Sequence, residues 1–545
     1  MSPTRAASRA TPPSSWWEPD EEDVVRPTTV GGILRQAAAR TPDAVALVEG
    51  VADPGARRRW TYAELLADAG WAAQALAARF TPGERVAVWA PSVPESLVLT
   101  YAAALAGLVL VPVNPALRAG EVRHVLAQSG AAGVFVVPRW RDHDLLGTLA
   151  QVHAELPALR HVVDLGRFEE FCSPGRAPAP PWTPPPVGPD DVAQLVYTSG
   201  TTGAPKGALL THGGMTNAAR LAAKRFGMRP GDVYVQTMPL FHVGGQVVSM
   251  QLCQCSATEV LVPAFDPGLV LALAEEERAT LTCGVPTMLL ALAEHPDLAR
   301  RDLSSLRAVS GGGAVVPVAL VRRIEEALGV QFAIVFGQTE ASGFISQTHL
   351  DDAPEDKAAT LGRPLPGVRA RVVDPGTGAV VPHGEVGELE VQGPNVMVGY
   401  HDMAAETAEA LGPERWLRTG DLVTMDERGF LRMRGRRKDM IVSGGENIDP
   451  AEIEAVLAGH PDVARCAVVG VADPRWGESA VGVVVGAEGR VPVPAELEAY
   501  LRARLAPFKV PRRWAVVEEL PLTASGKVQK FALRRALEEG AVPGS

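Results

Sequence analysis

The chain has 545 residues, 46% of them hydrophobic, and a formal net charge of −11, enough for three or four domain-sized units around a large core. That balance, without any run of Lys or Arg, argues against a nucleic-acid face and against a disordered protein. Five scattered cysteines, with no His or Cys at ligand spacing around Cys253 and Cys255, argue against a disulfide scaffold or a zinc site and point to a reducing cytoplasm.

Residues 1–28 are rich in Ser, Thr, Pro and acids and lack the apolar run of a signal peptide, so a disordered tail is expected there. From residue 29 the pattern alternates. Helices are predicted at Val30–Ala39 and, with Thr61 as N-cap, through Ala77. Strand Val86–Ala90, helix Ser96–Leu108, strand Val109–Val113, helix Ala119–Ser129 and strand Val134–Val137 follow. The stretch Leu97–Leu117 carries no charge, but Gly107, Pro112, Asn114 and Pro115 break it, so a buried helix and strand fit better than a membrane span. Strand–helix alternation predicts an α/β fold with mainly parallel sheets flanked by helices. A Pro-rich connector, Ala177–Pro189, leads to the apolar run Ala193–Val196.

That run opens the most informative stretch, Tyr197–Gly207: Tyr-Thr-Ser-Gly-Thr-Thr-Gly-Ala-Pro-Lys-Gly. Glycines let backbone amides converge, hydroxyls add donors and Lys206 adds charge, so Thr198, Ser199, Gly200, Thr201, Thr202, Gly203 and Lys206 form a loop suited to phosphate. It is not a Walker A loop, because Pro205 precedes the lysine and no Ser or Thr follows Gly207. Further on come Met238-Pro-Leu-Phe-His-Val-Gly-Gly245, then Ser310-Gly-Gly-Gly313, Val335-Phe-Gly-Gln-Thr-Glu340 and Arg418-Thr-Gly-Asp-Leu422. Gly435-Arg-Arg-Lys-Asp-Met-Ile-Val-Ser-Gly-Gly-Glu-Asn447 and Pro521-Leu-Thr-Ala-Ser-Gly-Lys527 complete the series. Taken singly, most of these are ordinary turns. After residue 447 a small α+β unit is predicted: helices Pro450–Leu457 and Pro494–Leu505, and strands Ala464–Val471, Val481–Val485 and Arg513–Val517. Among 52 basic residues only seven are lysines, and Lys206, Lys438 and Lys527 fall inside three of these motifs. A compact ammonium on a flexible stem can follow a moving phosphate in a way a planar guanidinium cannot.

In this order the motifs closely resemble those of the adenylate-forming superfamily, which includes acyl-CoA synthetases, peptide-synthetase adenylation domains and luciferases. The resemblance spans roughly residues 30–535. It implies a large N-terminal AMP- and acyl-binding domain of several subdomains, residues 29–437, and a small mobile C-terminal α+β domain, residues 438–545, hinged at Lys438. It implies an ATP-dependent carboxylic acid:CoA ligase that forms an acyl-adenylate and pyrophosphate, then a thioester and AMP, with Mg²⁺ and CoA as partners. The alternative is an acyl-AMP ligase that loads a carrier protein; the insertion such enzymes usually carry before the hinge is missing between Gly399 and Gly435. Carried over by motif, Lys527 is the adenylation lysine, and Thr339 and Glu340 face phosphate and metal, with Thr202 a second metal-side group. Gly312, Gly313, Phe336 and Gly337 lie along the nucleotide, Asp421 takes the ribose and Arg436 the nucleotide. Phe336 stands where the family usually has tyrosine. His242, Val243, Gly244, Thr287, Gly337 and Gln338 are the implied acyl pocket, with Gly244 and Gly245 leaving space. Ser443, Gly444 and Gly445 form the CoA-side loop. The His242 segment offers no carboxylate for an ammonium, which disfavours an amino acid and leaves an uncharged fatty acid of medium or long chain, or an aryl acid. A cytoplasmic monomer or homodimer with no nucleic-acid partner and no transmembrane segment completes the expectation.

Overall fold

The computed structural model describes residues 14–19, 25–176, 182–198, 205–313, 316, 318–437, 439, 441–443, 446–448, 450–473, 477–505, 507–522 and 527–540. Ser199, Gly200, Thr201, Thr202, Gly203, Lys438, Gly444, Gly445 and residues 1–13 and 20–24 of the tail lie outside them.

Local chemistry explains the first elements. Thr61 and Glu64 form a capping box, each side chain bonding the other's backbone N–H, and start helix Tyr62–Ala77. Pro94 opens helix Pro94–Leu105, and Gly107 at φ 70° ends its run earlier than the apolar pattern alone predicts. Strand Val109–Val113 is buried at every position, as expected of a strand covered on both faces.

It sits in a six-stranded sheet ordered Lys206–Thr211, Val192–Thr198, Val109–Val113, Arg85–Trp89, Gly133–Val136, His161–Asp164. Its pairings are parallel except for the hairpin at Lys206–Thr211. A nine-stranded sheet runs parallel from Gln331–Phe336 through Ala308–Gly312, Leu281–Gly284, Val233–Gln236 and Thr258–Leu261 to Val45–Glu49, with antiparallel strands at both edges. Helices pack on these sheets, giving the α/β architecture read from the alternation. Among the described residues no helix is long and apolar enough to cross a membrane.

A third sheet is antiparallel throughout: Trp16–Trp17, Arg369–Val373, Gly387–Gln392, Leu417–Met425 and Leu431–Arg436. For the described residues 14–19, its first strand stands where a disordered tail was expected. Trp16 pairs with Arg371 and Trp17 with Ala370; Trp16 meets Trp416 edge-on with ring centres 5.4 Å apart. Two large rings supply enough apolar contact to order a polar segment.

The last strand of that sheet ends at Arg436, and the strands that follow Ile441 form a separate sheet. Gly477–Gly486 lies at its centre, paired with Val463–Asp473, Ile441–Ser443 and Arg513–Val516. Ile441, Ile453, Leu457, Val468, Leu497 and Trp514 make a core of its own, with helix Lys530–Glu538 over the other face. On helix Pro494–Arg502, Arg502 reaches Glu498 one turn earlier at 3.4 Å.

Candidate active site

Glu340, Asp421, Arg436, His242 and Lys527 come together where the first three sheets meet the C-terminal unit. On one side, Thr198 pairs with Lys206 at the mouth of the hairpin, whose second strand is an edge of the six-stranded sheet. Tyr197 anchors its base, the phenol donating to Val125 O at 3.3 Å and contacting Gln128. His124 approaches Pro205 O at 3.3 Å from the same helix, Ala119–Ser129. Facing the hairpin is the short turn Thr339–Ala341, which follows strand Gln331–Phe336. Glu340 accepts a 2.6 Å hydrogen bond from the Tyr400 hydroxyl.

On the second side, Asp421 is fully buried in strand Leu417–Met425. Arg436 Nε lies 2.9 Å from its Oδ1, yet neither carboxylate oxygen receives a well-aligned hydrogen bond among the described residues. Burial pushes this carboxyl up to about 6, against the pull of Arg436 and Lys527 and with the push of Glu340. Glu388, 4% exposed, braces the turn before it by accepting from Gly420 N–H at 3.2 Å and from Arg437 at 3.0 Å.

Lys527 reaches this cleft from the C-terminal unit. Its Cε would lie 3.7 Å from a β-carbon placed on Gly313. Burial and the Arg436 guanidinium push its ammonium down, while Asp421 and Glu340 push it back up. Lys527, Arg436, Asp421 and Glu340 thus share one low-dielectric space.

His242 forms the third side. It is the N-cap of helix Val243–Cys255, its Nδ1 accepting the Gly244 N–H at 3.0 Å. Desolvation and the Lys527 charge push it down to about 4, so it is neutral near pH 7. With Nδ1 accepting, the ring proton is on Nε2.

The remaining motif residues are distributed as follows. Val243 is buried against Gly343. Gln338 opens the turn that carries Thr339 and Glu340. Phe336 is 8% exposed, so most of its ring is packed into the core. Gly312 ends strand Ala308–Gly312. Thr287 is exposed at the start of helix Pro286–Ala293. Ser443 is buried in the C-terminal sheet. One expectation is corrected: a β-carbon on Gly245 would lie 2.2 Å from Pro239 O, so this glycine serves the close turn onto the helix and leaves no space for a ligand.

The chemistry of these groups fits a nucleotide and a hard cation. A buried carboxylate whose Oδ1 faces Arg436 and whose Oδ2 has no hydrogen-bond partner among the described residues suits the hydroxyls of a ribose. Among the described residues no group of three or more His, Cys, Asp or Glu could hold a metal alone. A lone carboxylate such as Glu340 could hold Mg²⁺ together with the phosphates of a bound nucleotide.

Residues 34–401 match the family described as AMP-binding enzyme, and residues 452–527 match the AMP-binding enzyme C-terminal domain. The chain is an AMP-binding enzyme. It belongs to the adenylate-forming superfamily as an AMP-forming acyl-CoA synthetase using ATP, Mg²⁺ and CoA. It is 41% identical to the feruloyl-CoA synthase of an Amycolatopsis species, over 87% of this chain and 93% of that protein. Identity to the mitochondrial medium-chain acyl-CoA ligase of Mus musculus is 34%, over 94% and 88%. Among solved structures it resembles ATP-bound MatB from Rhodopseudomonas palustris, with TM-score 0.84 and 30% identity over 94% of this chain and 99% of that one.

Two parts of this AMP-binding enzyme's site escaped sequence reasoning. Tyr400 and Glu340 stand 60 residues apart in sequence, and Gly399-Tyr400 carries no motif of its own. Glu388 looks like any strand acid until Gly420 and Arg437 are placed on it. The scarcity of tyrosine, six in the chain, was the only available signal for Tyr400.

Proposed function

We propose that this acyl-CoA synthetase activates an uncharged fatty or aryl acid, with an arylpropenoic acid of the ferulate type the first to test. The observation that carries the reading is the meeting of Lys527, Asp421, Arg436, Glu340 and neutral His242 in one cleft. The acid's carboxylate and the α-phosphate are both anions, so catalysis is charge neutralisation and positioning.

In this reading Asp421 accepts both ribose hydroxyls. Lys527 lies between the carboxylate and the α-phosphate, and His242 donates its Nε2 proton toward the carboxylate. The carboxylate oxygen forms a bond to the α-phosphorus as the bond to pyrophosphate breaks, with Lys206 and the hairpin loop taking the departing charge. Glu340 would hold Mg²⁺, which supplies charge neutralisation on the phosphates when bound. A CoA thiolate then attacks the acyl carbon and AMP leaves. Lys527 blocks the approach of the thiol while it occupies the cleft, so the C-terminal domain, residues 438–545, turns about Lys438 and brings the Ser443-Gly444-Gly445 loop to the site.

The lack of any carboxylate in the segment Met238–Gly245, and the resemblance to a feruloyl-CoA synthase, both support an uncharged acid. The test is pyrophosphate exchange across aryl, arylpropenoic, medium-chain and long-chain acids, followed by detection of the CoA thioester. Exchange only with amino or dicarboxylic acids overturns the substrate class. Thioester on a carrier protein with none on CoA overturns the acceptor.

A further inference from the structure

Residues 396–401 form an added edge on the phosphate-loop hairpin. Leu209 N–H donates to Gly399 O at 2.9 Å, Val398 N–H to Leu209 O at 2.8 Å and His401 N–H to Gly207 O at 2.8 Å. Tyr400 therefore lies opposite Ala208, two residues beyond Lys206. Its own N–H is held by Thr407 Oγ1 at 2.9 Å, and Arg415 donates to Met397 O at 2.6 Å. The segment is fixed along its length.

From that edge the Tyr400 side chain makes two contacts. Its hydroxyl donates to Glu340 Oε1 at 2.6 Å, and the Lys206 ammonium sits 5.1 Å from its ring centre. The same segment holds Glu340 by its backbone, since Met397 N–H donates to Glu340 O at 2.8 Å. Lys206 and Glu340 stem from different sheets, and a single phenol spans them.

We propose that Tyr400 is a positioning residue for the adenylation step. Its hydroxyl sets one Glu340 oxygen so that the carboxylate is aimed at the metal, and its ring holds the Lys206 ammonium on the same side. The proposal rests on the reading of Glu340 and Lys206 as the groups facing the triphosphate. A bond to a metal-binding carboxylate from the layer behind it changes metal affinity by about 10- to 100-fold when removed, and an ammonium on an aromatic face is held by a separate, smaller attraction.

The test uses the full chain with Tyr400→Phe, Tyr400→Leu, Glu340→Gln and the Tyr400→Phe/Glu340→Gln double variant. Calorimetry measures binding of ATP with and without Mg²⁺, and pyrophosphate exchange is titrated with Mg²⁺. Tyr400→Phe is expected to weaken MgATP about tenfold, to raise the Mg²⁺ needed for half-maximal exchange by a similar factor, and to leave metal-free ATP binding within twofold. Tyr400→Leu, which also removes the ring, is expected to weaken metal-free ATP several-fold as well. In the Glu340→Gln background Tyr400→Phe should add less than twofold, because its target is gone.

A Mg²⁺ titration unchanged in Tyr400→Phe overturns the proposal. So does a loss shared equally by pyrophosphate exchange and thioester formation from supplied acyl-AMP, or an undiminished effect in the Glu340→Gln background. Because the calorimetry needs no acid, it still decides the matter if no acid in the panel is turned over, which would count against the substrate reading alone.

Discussion

Asp421→Asn separates what the active-site carboxylate does for the fold from what it does for the nucleotide. Asp421 is fully buried and its pKa is pushed up to about 6 from an ordinary 3.8. At a pH well above 6 that corresponds to about 3 kcal/mol by which the charged form is disfavoured in the folded state, with the attraction of Arg436 already included. The sign follows: a folded pKa above the unfolded one gives stability that is full below pH 3.8 and lost as pH rises through about 6. Asparagine resembles the neutral acid. The ligand-free variant is therefore expected to unfold a few degrees higher than the parent at pH 8, with the difference shrinking toward pH 4. ATP binding should move the other way. In the proposed reading the carboxylate accepts two ribose hydroxyls, each bond to a charged acceptor contributing about 1.5–3 kcal/mol. Asparagine keeps one acceptor, so a loss of about 2 kcal/mol, roughly 30-fold in Kd, is expected. At an ATP concentration 100 times the parent's Kd, ligand stabilisation would fall from about 2.7 to about 0.9 kcal/mol. Thermal unfolding at pH 4, 6 and 8, with and without ATP, measures both effects. An Asn variant that is less stable without ATP at pH 8 yet keeps the full ATP-induced shift would refute the reasoning.

Three further outcomes are expected. Lys527→Ala should abolish acyl-AMP formation while sparing thioester formation from supplied acyl-AMP; equal loss of both half-reactions contradicts a lysine that acts in the first alone. Glu259 is 2% exposed, accepts from Ser249 Oγ at 2.8 Å, and is pushed up to about 7 by burial, so its contribution is full below pH 4.5 and lost as pH rises through about 7. Glu259→Gln should flatten that slope and be more stable than the parent above pH 7, by at most about 3 kcal/mol, as read from denaturation at pH 5 and pH 8. Gly337→Ala places a β-carbon 2.1 Å from Gly343 O, and since both partners are backbone the turn before Glu340 must open; a loss of about 3 kcal/mol or more and a fall in MgATP binding are expected, whereas unchanged calorimetric unfolding would show that the turn can yield.

The elements legible in the sequence were those decided by near neighbours. The N-cap at Thr61 is where the pattern placed it, and Glu64, three positions on, completes a capping box there. The apolar run Val109–Val113 is the buried strand it was read as, because only a strand covered on both faces needs that composition. The extra antiparallel sheet was not legible as such. Its strands Arg369–Val373, Gly387–Gln392 and Leu417–Met425 are separated by loops long enough to hide the pairing, and its first strand is the two-residue Trp16–Trp17 inside a polar segment. Within the site, Lys206, Glu340, Asp421 and Lys527 could be singled out by motif, but Tyr400 and Glu388 could not, since each matters only through a partner distant in the chain.

The sequence by itself determined the family, the order of the motifs and which side chains carry the charges. Those follow from residue identity and short-range spacing. Only the tertiary structure decided how these charges meet: that Lys527 comes from the C-terminal unit into the space of Asp421 and Glu340, that Asp421 loses its water, and that His242 is neutral with its proton on Nε2. Ionisation depends on solvation and on the charges within a few ångströms, and neither exists until distant parts of the chain close over the same site.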